Sequence, residues 1–280
     1  RVVQGCPFGC DPDRPDELCD VCRKAKTEHR IKRRRIRVVT LPLNATEDRV
    51  AGGIDFNEAV KSGMRCFSPG VLAMAHRSIL YVDEVNLLDD HIVDVILDAA
   101  ASGRNRVERE GISITHASRF ILVGTMNPEE GELRPQLLDR FGLCVQIEGI
   151  QDAEDRVAIM ERRTAFDEDA ESFGAAWEEE SRIVVERIER AIDLYPKVTI
   201  ARDLLFKIAQ CCLEVGVDGH RGDIIILKTA KTLAAWNGRE EVEKADIDNA
   251  AELALPHRVR RQPLMEIADN VQALRKRSNG

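Results

Sequence analysis

A short apolar run that ends in two acidic residues constrains the fold of this chain most. Residues Ile79–Val82 read ILYV, and Asp83 and Glu84 follow at once. Four apolar residues without polar alternation are typical of a strand that is buried on both faces of a parallel sheet. Ligands of open α/β sheets bind at the carboxyl ends of such strands. The run therefore predicts a parallel sheet with two carboxylates at its binding edge.

Three further segments have the composition of strands, and helical patterns lie between them. Strands are expected at residues 38–43 (VVTLPL), 120–123 (FILV) and 144–149 (CVQIEG). A helical pattern precedes Gly103, and glycine commonly ends helices. Residues 105–118 alternate polar and apolar side chains, as a β-hairpin does. Because strands and helices alternate, the expected fold class is α/β.

The second half of the chain lacks strand patterns and is expected to be helical. Residues 152–190 carry 13 acidic and 6 basic side chains, which suits a long solvated helix or a linker. Helical patterns continue beyond them. We therefore divide the chain into four parts, which are a Cys-rich and basic segment (1–37), an α/β core (38–150), a linker helix (151–190) and an all-helical domain (191–280).

Composition argues against several classes of function. A formal net charge of −8 and an aromatic content of 4% disfavour nucleic-acid binding through charge or base stacking. The sequence has no apolar run of the ~20 residues that a membrane span needs, and its first residues lack a signal-peptide core. We expect a cytoplasmic protein with no membrane span and no nucleic-acid partner.

Polar residues after two of the predicted strands are candidate catalytic groups. Asp83 is expected to hold Mg²⁺ through its carboxylate oxygens, and Glu84 to polarise a water molecule that attacks a phosphate. Asn127 follows the 120–123 strand, and its amide can hydrogen-bond both a phosphate oxygen and the attacking water. Two simpler interpretations stay open, namely solvated acids at a strand end and a turn asparagine before Pro128.

Two arginines follow these groups along the chain. Arg140 comes just after a predicted short helix in LRPQLLDRFG, where the neighbouring Asp139 could orient it. An ordinary surface ion pair is the alternative for Asp139 and Arg140. Arg134 is a weaker candidate than Arg140 for a functional arginine. Arg221 stands at the start of a predicted helix in GHRGDIIILKTA, where a solvated arginine is the alternative. These arginines gain significance only from their order after the acidic pair and Asn127.

Four of the eight cysteines lie within the first 22 residues. Cys6, Cys10, Cys19 and Cys22 have the spacing C-x3-C-x8-C-x2-C. Four thiolates in one short loop suit tetrahedral zinc or an iron–sulfur cluster, and this spacing does not distinguish them. Four reduced thiols without a metal are the alternative. A chain this long and this charged does not fit a disulfide scaffold.

Longer strings around these residues resemble the AAA+ ATPase subunit I of magnesium chelatase and the related N-terminal half of the D-type subunit. The strings are LPLNATEDRVAGGIDFNEAVKSG, FSPGVLAMAHRSILYVDEVNLLDDHIVDVILDAAASG and GTMNPEEGELRPQLLDRFG, with DGHRGD and HRVRRQPL further on. They cover most of residues 37–265. The resemblance implies an AAA+ P-loop NTPase core, with a helix-2 insertion at 44–76 and a presensor-1 hairpin at 105–118, followed by a helical lid domain.

The resemblance also implies roles and partners. Asp83 and Glu84 would form Walker B, Asn127 would be sensor 1, Arg140 the arginine finger and Arg221 sensor 2. The implied cofactors are ATP and Mg²⁺, and the implied assembly is a homo-oligomeric ring, expected to be a hexamer. The implied partners are a D-type chelatase protein and a large tetrapyrrole-binding subunit, which inserts Mg²⁺ into protoporphyrin. The four-cysteine cluster does not define the chlorophyll-pathway subunits, and it indicates a bacterial or archaeal relative.

One motif of the family is missing from the sequence. The Walker A loop reads G-x-x-x-x-G-K-[ST], and none of the 18 glycines is followed by lysine. Because the chain begins with Arg1 and not with Met, we expect this loop upstream of residue 1, and a naturally degenerate subunit is the alternative. The 280 residues alone are expected to hydrolyse ATP weakly or not at all. Two rival functions stay open, a MoxR-like AAA+ chaperone and a non-hydrolysing scaffold of the D type.

Overall fold

The computed structural model of the chain describes residues 1–24, 30–55, 60, 67–109, 112–131, 133–217 and 219–258. The chain divides into two compact units, Arg1–Arg140 and Phe141–Gly280. Part of the expected helix-2 insertion (56–59 and 61–66), the tip of the expected hairpin (110–111) and the end of the chain after residue 258 lie outside the described residues.

The described elements are short strands in the first unit and helices in both units. The strands are β1 (Val2–Val3), β2 (Ile31–Lys32), β3 (Val38–Leu41), β4 (Gly52–Ile54), β5 (Phe67–Pro69), β6 (Ile79–Val82), β7 (Arg104–Arg109), β8 (Ile112–Ala117) and β9 (Ile121–Gly124). The helices are α1 (Asp20–Lys24), α2 (Glu47–Ala51), α3 (Val71–Met74), α4 (Asp90–Ser102), α5 (Pro135–Leu138), α6 (Ala153–Glu168), α7 (Ala170–Ala176), α8 (Glu178–Leu194), α9 (Arg202–Val215), α10 (Arg221–Trp236) and α11 (Lys244–Ala254).

A three-stranded parallel sheet forms the centre of the first unit. Strand β6 lies between β3 and β9, and Val82 is paired with Leu41 on one side and Gly124 on the other. Leu80 and Val82 are fully buried, whereas Ile79 and Tyr81 are half-buried. The predicted parallel α/β sheet is therefore confirmed, with the strand that precedes the acidic pair at its centre.

The burial expected for the strand at 120–123 is wrong, although the strand is present. Ile121 and Val123 of β9 are 64% and 42% exposed. The cause is the position of β9 at one edge of the described sheet, which leaves its side chains fewer neighbours than those of the central strand. An apolar run predicts a strand, but it does not distinguish a central strand from an edge strand.

A helix and a hairpin connect β6 to β9. Helix α4 buries Ile92, Val93, Ile96 and Leu97, and it ends at Gly103, whose φ of 68° is a left-handed conformation that suits glycine. The hairpin expected at 105–118 is confirmed as the antiparallel pair β7–β8. At its base, the amide of Asn105 bridges the buried His116 ring (3.0 Å) and the Ala51 carbonyl (2.7 Å).

The last strand expected in the core, at residues 144–149, is wrong. The structure gives these residues no strand, and Val145 and Ile147 are 62% and 86% exposed. The Cys144 N–H donates instead to the Leu253 carbonyl near the end of α11, at 2.8 Å. A strand needs a neighbouring strand for its backbone groups. Apolar alternation without that partner therefore leaves an extended loop.

The second unit is helical, as predicted. The region expected as one linker helix contains three helices, α6, α7 and α8. The chain breaks at Asp169, whose carboxylate accepts from the N–H groups of Glu171 and Ser172 and so begins a new helix. The buried core of this unit lies further on, and it joins α9, α10 and α11 through Ile208, Cys212, Ile226, Ala230, Ile247 and Leu255.

The N-terminal segment has more structure than a loop. Strand β1 pairs antiparallel with β2, and Cys10, Cys19 and Cys22 form a small buried cluster with Val3.

Among the described residues of both units, no helix is long and apolar enough to cross a bilayer.

Candidate functional site

The carboxyl ends of β6 and β9 lie side by side, and they define the candidate site. Val82 pairs with Gly124, so Asp83 and Thr125 are the first residues to leave the sheet on neighbouring strands. Backbone bonds continue the pairing, from the Thr125 N–H to the Val82 carbonyl (3.0 Å) and from the Val85 N–H to the Thr125 carbonyl (2.8 Å). The ends of the two strands are thus held in fixed register.

Asp83 is exposed and oriented by two hydroxyl groups. Its Oδ1 accepts from Thr125 Oγ1 at 2.6 Å and from the Tyr81 hydroxyl at 2.9 Å. The hydrogen bond from Thr125, followed by that from Tyr81, lowers the pKa of Asp83. Neutral donors orient a carboxylate without cancelling its charge. Asp83 is therefore an ionised, solvent-facing oxygen ligand.

Glu84 has an unusual backbone conformation. Its φ of 49° and ψ of 54° are left-handed, a region that non-glycine residues rarely adopt. Its N–H donates to Thr125 Oγ1 at 3.3 Å, and the chain then enters the 3-10 turn Val85–Leu87. Such conformations persist only where the surroundings enforce them, and they often mark functional sites.

Asn127 begins the turn that follows β9. Its Oδ1 accepts from the Glu129 N–H at 3.1 Å and so caps the 3-10 turn Pro128–Glu130. This geometry is the one expected if Asn127 is a turn residue before Pro128. A neighbouring contact, from Asn86 Nδ2 to the Gly131 carbonyl at 3.1 Å, joins the turn after β6 to the turn after β9.

The two arginines occupy different units. In the first unit, Arg140 Nη1 lies 2.6 Å from Asp98 Oδ1 and 3.1 Å from Asp94 Oδ1, both on α4. Arg134 pairs with Asp90 at the start of the same helix. In the second unit, Arg221 is the exposed first residue of α10, as predicted.

The four N-terminal cysteines come together as the spacing predicted. Their Sγ atoms all lie within 4.8 Å of one another, and the Cys19 N–H donates to Cys10 Sγ at 3.1 Å. Burial raises the pKa of the Cys22 thiol to about 12. These four residues form the second candidate site of the first unit.

Sequence reasoning missed Thr125 and Tyr81. Thr125 contacts both acidic residues, and Tyr81 lies two positions before Asp83 on the same face of β6. A signal for Thr125 was available, because it follows β9 directly as Asp83 follows β6. The strand ends of a parallel sheet meet at one edge, so both positions belonged to the candidate set.

Two family models match separate parts of the chain, the AAA domain of the dynein-related subfamily at residues 25–141 and the AAA lid domain at residues 205–277. A solved structure of a protein from Cytophaga hutchinsonii has a TM-score of 0.61 at 17% identity. The match covers 85% of this chain and 76% of that one, and it supports the fold alone. The parallel sheet, its acidic edge and the helical unit define an AAA+ protein with its lid.

Curated relatives narrow this class. The magnesium-chelatase subunit ChlI homolog of Methanocaldococcus jannaschii is 54% identical over 265 residues, which are 94% of this chain and 72% of the relative. The chloroplastic magnesium-chelatase subunit ChlI of Nicotiana tabacum is 49% identical over 279 residues, which are 99% of this chain and 66% of the relative. The chain belongs to the magnesium-chelatase subunit I family, which confirms the resemblance.

Proposed function

We propose that this protein is the ATP-hydrolysing motor subunit of a magnesium-chelatase-type complex. It would couple hydrolysis to insertion of a metal ion into a tetrapyrrole, protoporphyrin IX, by a separate large subunit. The observation that carries the proposal is the exposed Asp83, oriented by hydroxyl groups beside Glu84 at the binding edge of the sheet. The identities of 54% and 49% to relatives named as subunit I favour this function over a MoxR-like chaperone or a scaffold of the D type.

In this proposal, Asp83 would hold the Mg²⁺ of the nucleotide. The fit rests on an ionised, exposed carboxylate, because Mg²⁺ takes hard oxygen ligands and keeps several waters. When bound, Mg²⁺ neutralises charge that develops on the phosphates. The hydroxyl groups of Thr125 and Tyr81 orient Oδ1, and Asp83 would present this oriented carboxylate to the ion.

Glu84 and Asn127 would act on the attacking water. We assign Glu84 as the base that accepts a proton from this water. Its backbone N–H is anchored on Thr125, which fixes the base relative to Asp83. The Nδ2 group of Asn127 would donate to the terminal phosphate while Oδ1 remains the cap of the following turn.

Arg140 and Arg221 would complete the site in a homo-oligomeric ring, which we propose to be a hexamer. Arg140 pairs with Asp94 and Asp98 and remains 34% exposed at its side chain. Exposed ion pairs contribute little stability, so this arginine can exchange its partners for the nucleotide of a neighbouring subunit. Arg221 would act as sensor 2 of the lid and contact the γ-phosphate.

Hydrolysis also needs a loop that binds the phosphates. None of the 18 glycines is followed by lysine, and we propose that these 280 residues alone hydrolyse ATP weakly or not at all. An ATPase rate equal to that of the full-length subunit would contradict this. We also propose that the four cysteines bind a metal, as zinc or as an iron–sulfur cluster, since their sulfur atoms lie within 4.8 Å of one another.

The experiment that tests the motor function is Glu84→Gln in the native, full-length subunit. We expect ATP hydrolysis to fall at least about 100-fold while nucleotide binding is retained, because the substitution removes a base without changing shape. Glu129→Gln is the matched control, since Glu129 is an exposed acid in the turn after Asn127. If Glu84→Gln and Glu129→Gln hydrolyse ATP equally fast, the assignment of Glu84 is wrong.

The chelatase part of the proposal needs its own assay. We expect the active subunit to support metal insertion when it is mixed with a D-type chelatase protein and a large tetrapyrrole-binding subunit. We expect Glu84→Gln to abolish insertion in the same mixture. Full ATP hydrolysis without any binding to these partners would favour the chaperone alternative.

A further inference from the structure

The sulfur geometry of the N-terminal cluster fits one metal ion. The four Sγ atoms all lie within 4.8 Å of one another, and Cys6 Sγ and Cys19 Sγ are 3.8 Å apart. Four thiolates at about 2.3 Å from a zinc ion in a tetrahedron stand about 3.8 Å from each other. Iron–sulfur clusters divide their cysteines between two or more iron atoms, which requires a wider set of sulfur positions.

The backbone around the cysteines shapes a compact binding loop. Strand β1 leads into the first pair, where the Cys6 N–H donates to the Val3 carbonyl and the Gly9 N–H to the Cys6 carbonyl. Gly5 and Gly9 have φ values of 77° and 59°, which allow two tight bends within five residues. The second pair flanks the start of α1, and the Cys19 N–H donates to Cys10 Sγ at 3.1 Å. Bonds of this kind orient a sulfur toward a metal and stabilise its thiolate form.

The segment has too little apolar core to be held by packing alone. Besides the cysteines, its cluster contains Val3, Phe8 and Leu18, of which Phe8 and Leu18 are only partly buried. Small units with such cores usually depend on a disulfide or a metal. All four cysteines are free thiols, and 3.8 Å between two sulfurs is far longer than the roughly 2.05 Å of a disulfide. A metal is the stabiliser that this arrangement can accept.

The segment contacts the base of the β7–β8 hairpin. The Phe8 ring lies 4.9 Å from the ring of His116, which belongs to β8. Glu17 pairs with Arg119, just after β8, at 2.8 Å. Asp11 pairs with Arg77, which precedes β6, at 3.3 Å. Each contact comes from a residue within two positions of a cysteine, so the conformation of the cysteine loop determines whether the contacts form.

We propose that Cys6, Cys10, Cys19 and Cys22 bind a single structural zinc ion that fastens the N-terminal segment to the base of the β7–β8 hairpin. This inference deepens the metal site proposed above by naming the ion and its role. It does not depend on ATP hydrolysis, because metal content and hydrolysis are measured separately. Loss of zinc would release the segment, and the hairpin would lose the contacts through His116 and Arg119.

Metal analysis of the full-length protein, purified without oxygen or added metal, tests the identity of the ion. We expect about one zinc per chain and no stoichiometric iron. Cys10→Ser and Cys22→Ser should lower zinc at least about tenfold, since zinc loses one of its four ligands. Cys211→Ser is the matched control, because it removes a partly buried thiol from α9 in the other unit, and it should leave zinc unchanged. Stoichiometric iron with acid-labile sulfide, or protein without metal, would overturn the proposal.

Hydrogen exchange tests the fastening role without a variant that could misfold. We expect removal of zinc by a chelator to increase exchange at the amides of β8 about tenfold, and readdition of zinc to restore protection. The amides of α9 provide the internal reference and should not change. If β8 exchanges equally fast with and without zinc, the ion does not fasten the segment to the hairpin.

Discussion

Two aspartates in the two units show how the same side chain is used in opposite ways. Asp83, at the sheet edge of the first unit, is exposed and accepts hydrogen bonds from two neutral hydroxyl groups. Asp246, in the helical unit, is 2% exposed. Arg239 donates to its carboxylate through Nη1 at 2.9 Å and through Nη2 at 2.6 Å. The Glu243 N–H also donates to it, at 2.9 Å.

The difference lies in what neutralises each charge. An arginine cancels the charge of Asp246, because a buried carboxylate without a partner is costly. Asp83 is oriented but not neutralised, so its charge remains available to a cation. The comparison predicts that Asp83 contributes to activity and not to stability, and that Asp246 does the reverse.

The largest effect is expected from Asp83→Asn. The substitution keeps the size of the side chain and removes the negative charge that would bind Mg²⁺. We expect ATP hydrolysis by the full-length subunit to fall by about 10³-fold, with an unchanged unfolding curve. A steady-state ATPase assay with a urea unfolding series checks both. The contrast with Asp246 would fail if Asp83→Asn unfolded the protein or hydrolysed ATP normally.

The reverse pattern is expected for Asp246→Ala. It leaves Arg239 with only the longer carboxylate contact to Glu243, at 3.4 Å, and removes the acceptor at the start of α11. This should cost about 3 kcal/mol in the free energy of unfolding. Both tryptophans, Trp177 and Trp236, lie in the second unit, so their fluorescence in urea reports on that unit. Asp193→Asn is the control, because Asp193 is exposed on α8. Equal unfolding midpoints for the two variants would contradict the buried role.

Short sequence patterns predicted most helices and strands correctly. They failed where the structure of a segment depends on contacts with residues that are distant in sequence. Strand β6 and helix α4 were predicted because burial and capping leave marks within each segment. The strand at 144–149 was wrong because its backbone bonds to Leu253, more than 100 residues away. The pairing of Arg140 with Asp98, 42 positions earlier, depends on how the chain after α5 packs on α4. The hydroxyl bond from Thr125 to Asp83 depends on the register of β6 and β9. No short window of sequence contains either.

A third prediction extends the comparison to a buried base. His76 is 2% exposed, and it accepts from the Arg119 N–H at 3.1 Å. Burial lowers the pKa of His76 to about 4, and the positive charge of Arg77 lowers it further. Glu17 acts in the opposite direction, and His116 and Arg34 add small lowering effects. The unfolded state then binds more protons below about pH 6.5, so stability is present above that pH and is lost as the pH falls toward 4.

The loss at pH 5 should be about 2 kcal/mol relative to pH 7. Hydrogen exchange at the β6 amides, compared at the two pH values after correction for intrinsic rates, measures it in the first unit. His76→Gln should remove its own share of the difference and leave that of the buried His116, whose pKa burial also lowers. His91→Gln should leave it, because His91 is exposed. If both variants keep the full pH dependence, His76 is not its source.

The smallest effect tests how Asp83 is oriented. Thr125→Val removes the hydroxyl that donates to Asp83 at 2.6 Å and accepts from the Glu84 N–H at 3.3 Å, and it keeps the shape of the exposed side chain. Because the bond from Thr125 is the first cause of the lowered pKa of Asp83, that pKa should rise toward its ordinary value. The carboxylate then samples more orientations, and we expect ATP hydrolysis to fall about tenfold with a higher Mg²⁺ concentration at half-maximal rate. Thr125→Ser keeps the hydroxyl and should restore most of the rate. Equal Mg²⁺ dependence in Thr125→Val and wild type would mean that Tyr81 alone suffices to orient Asp83.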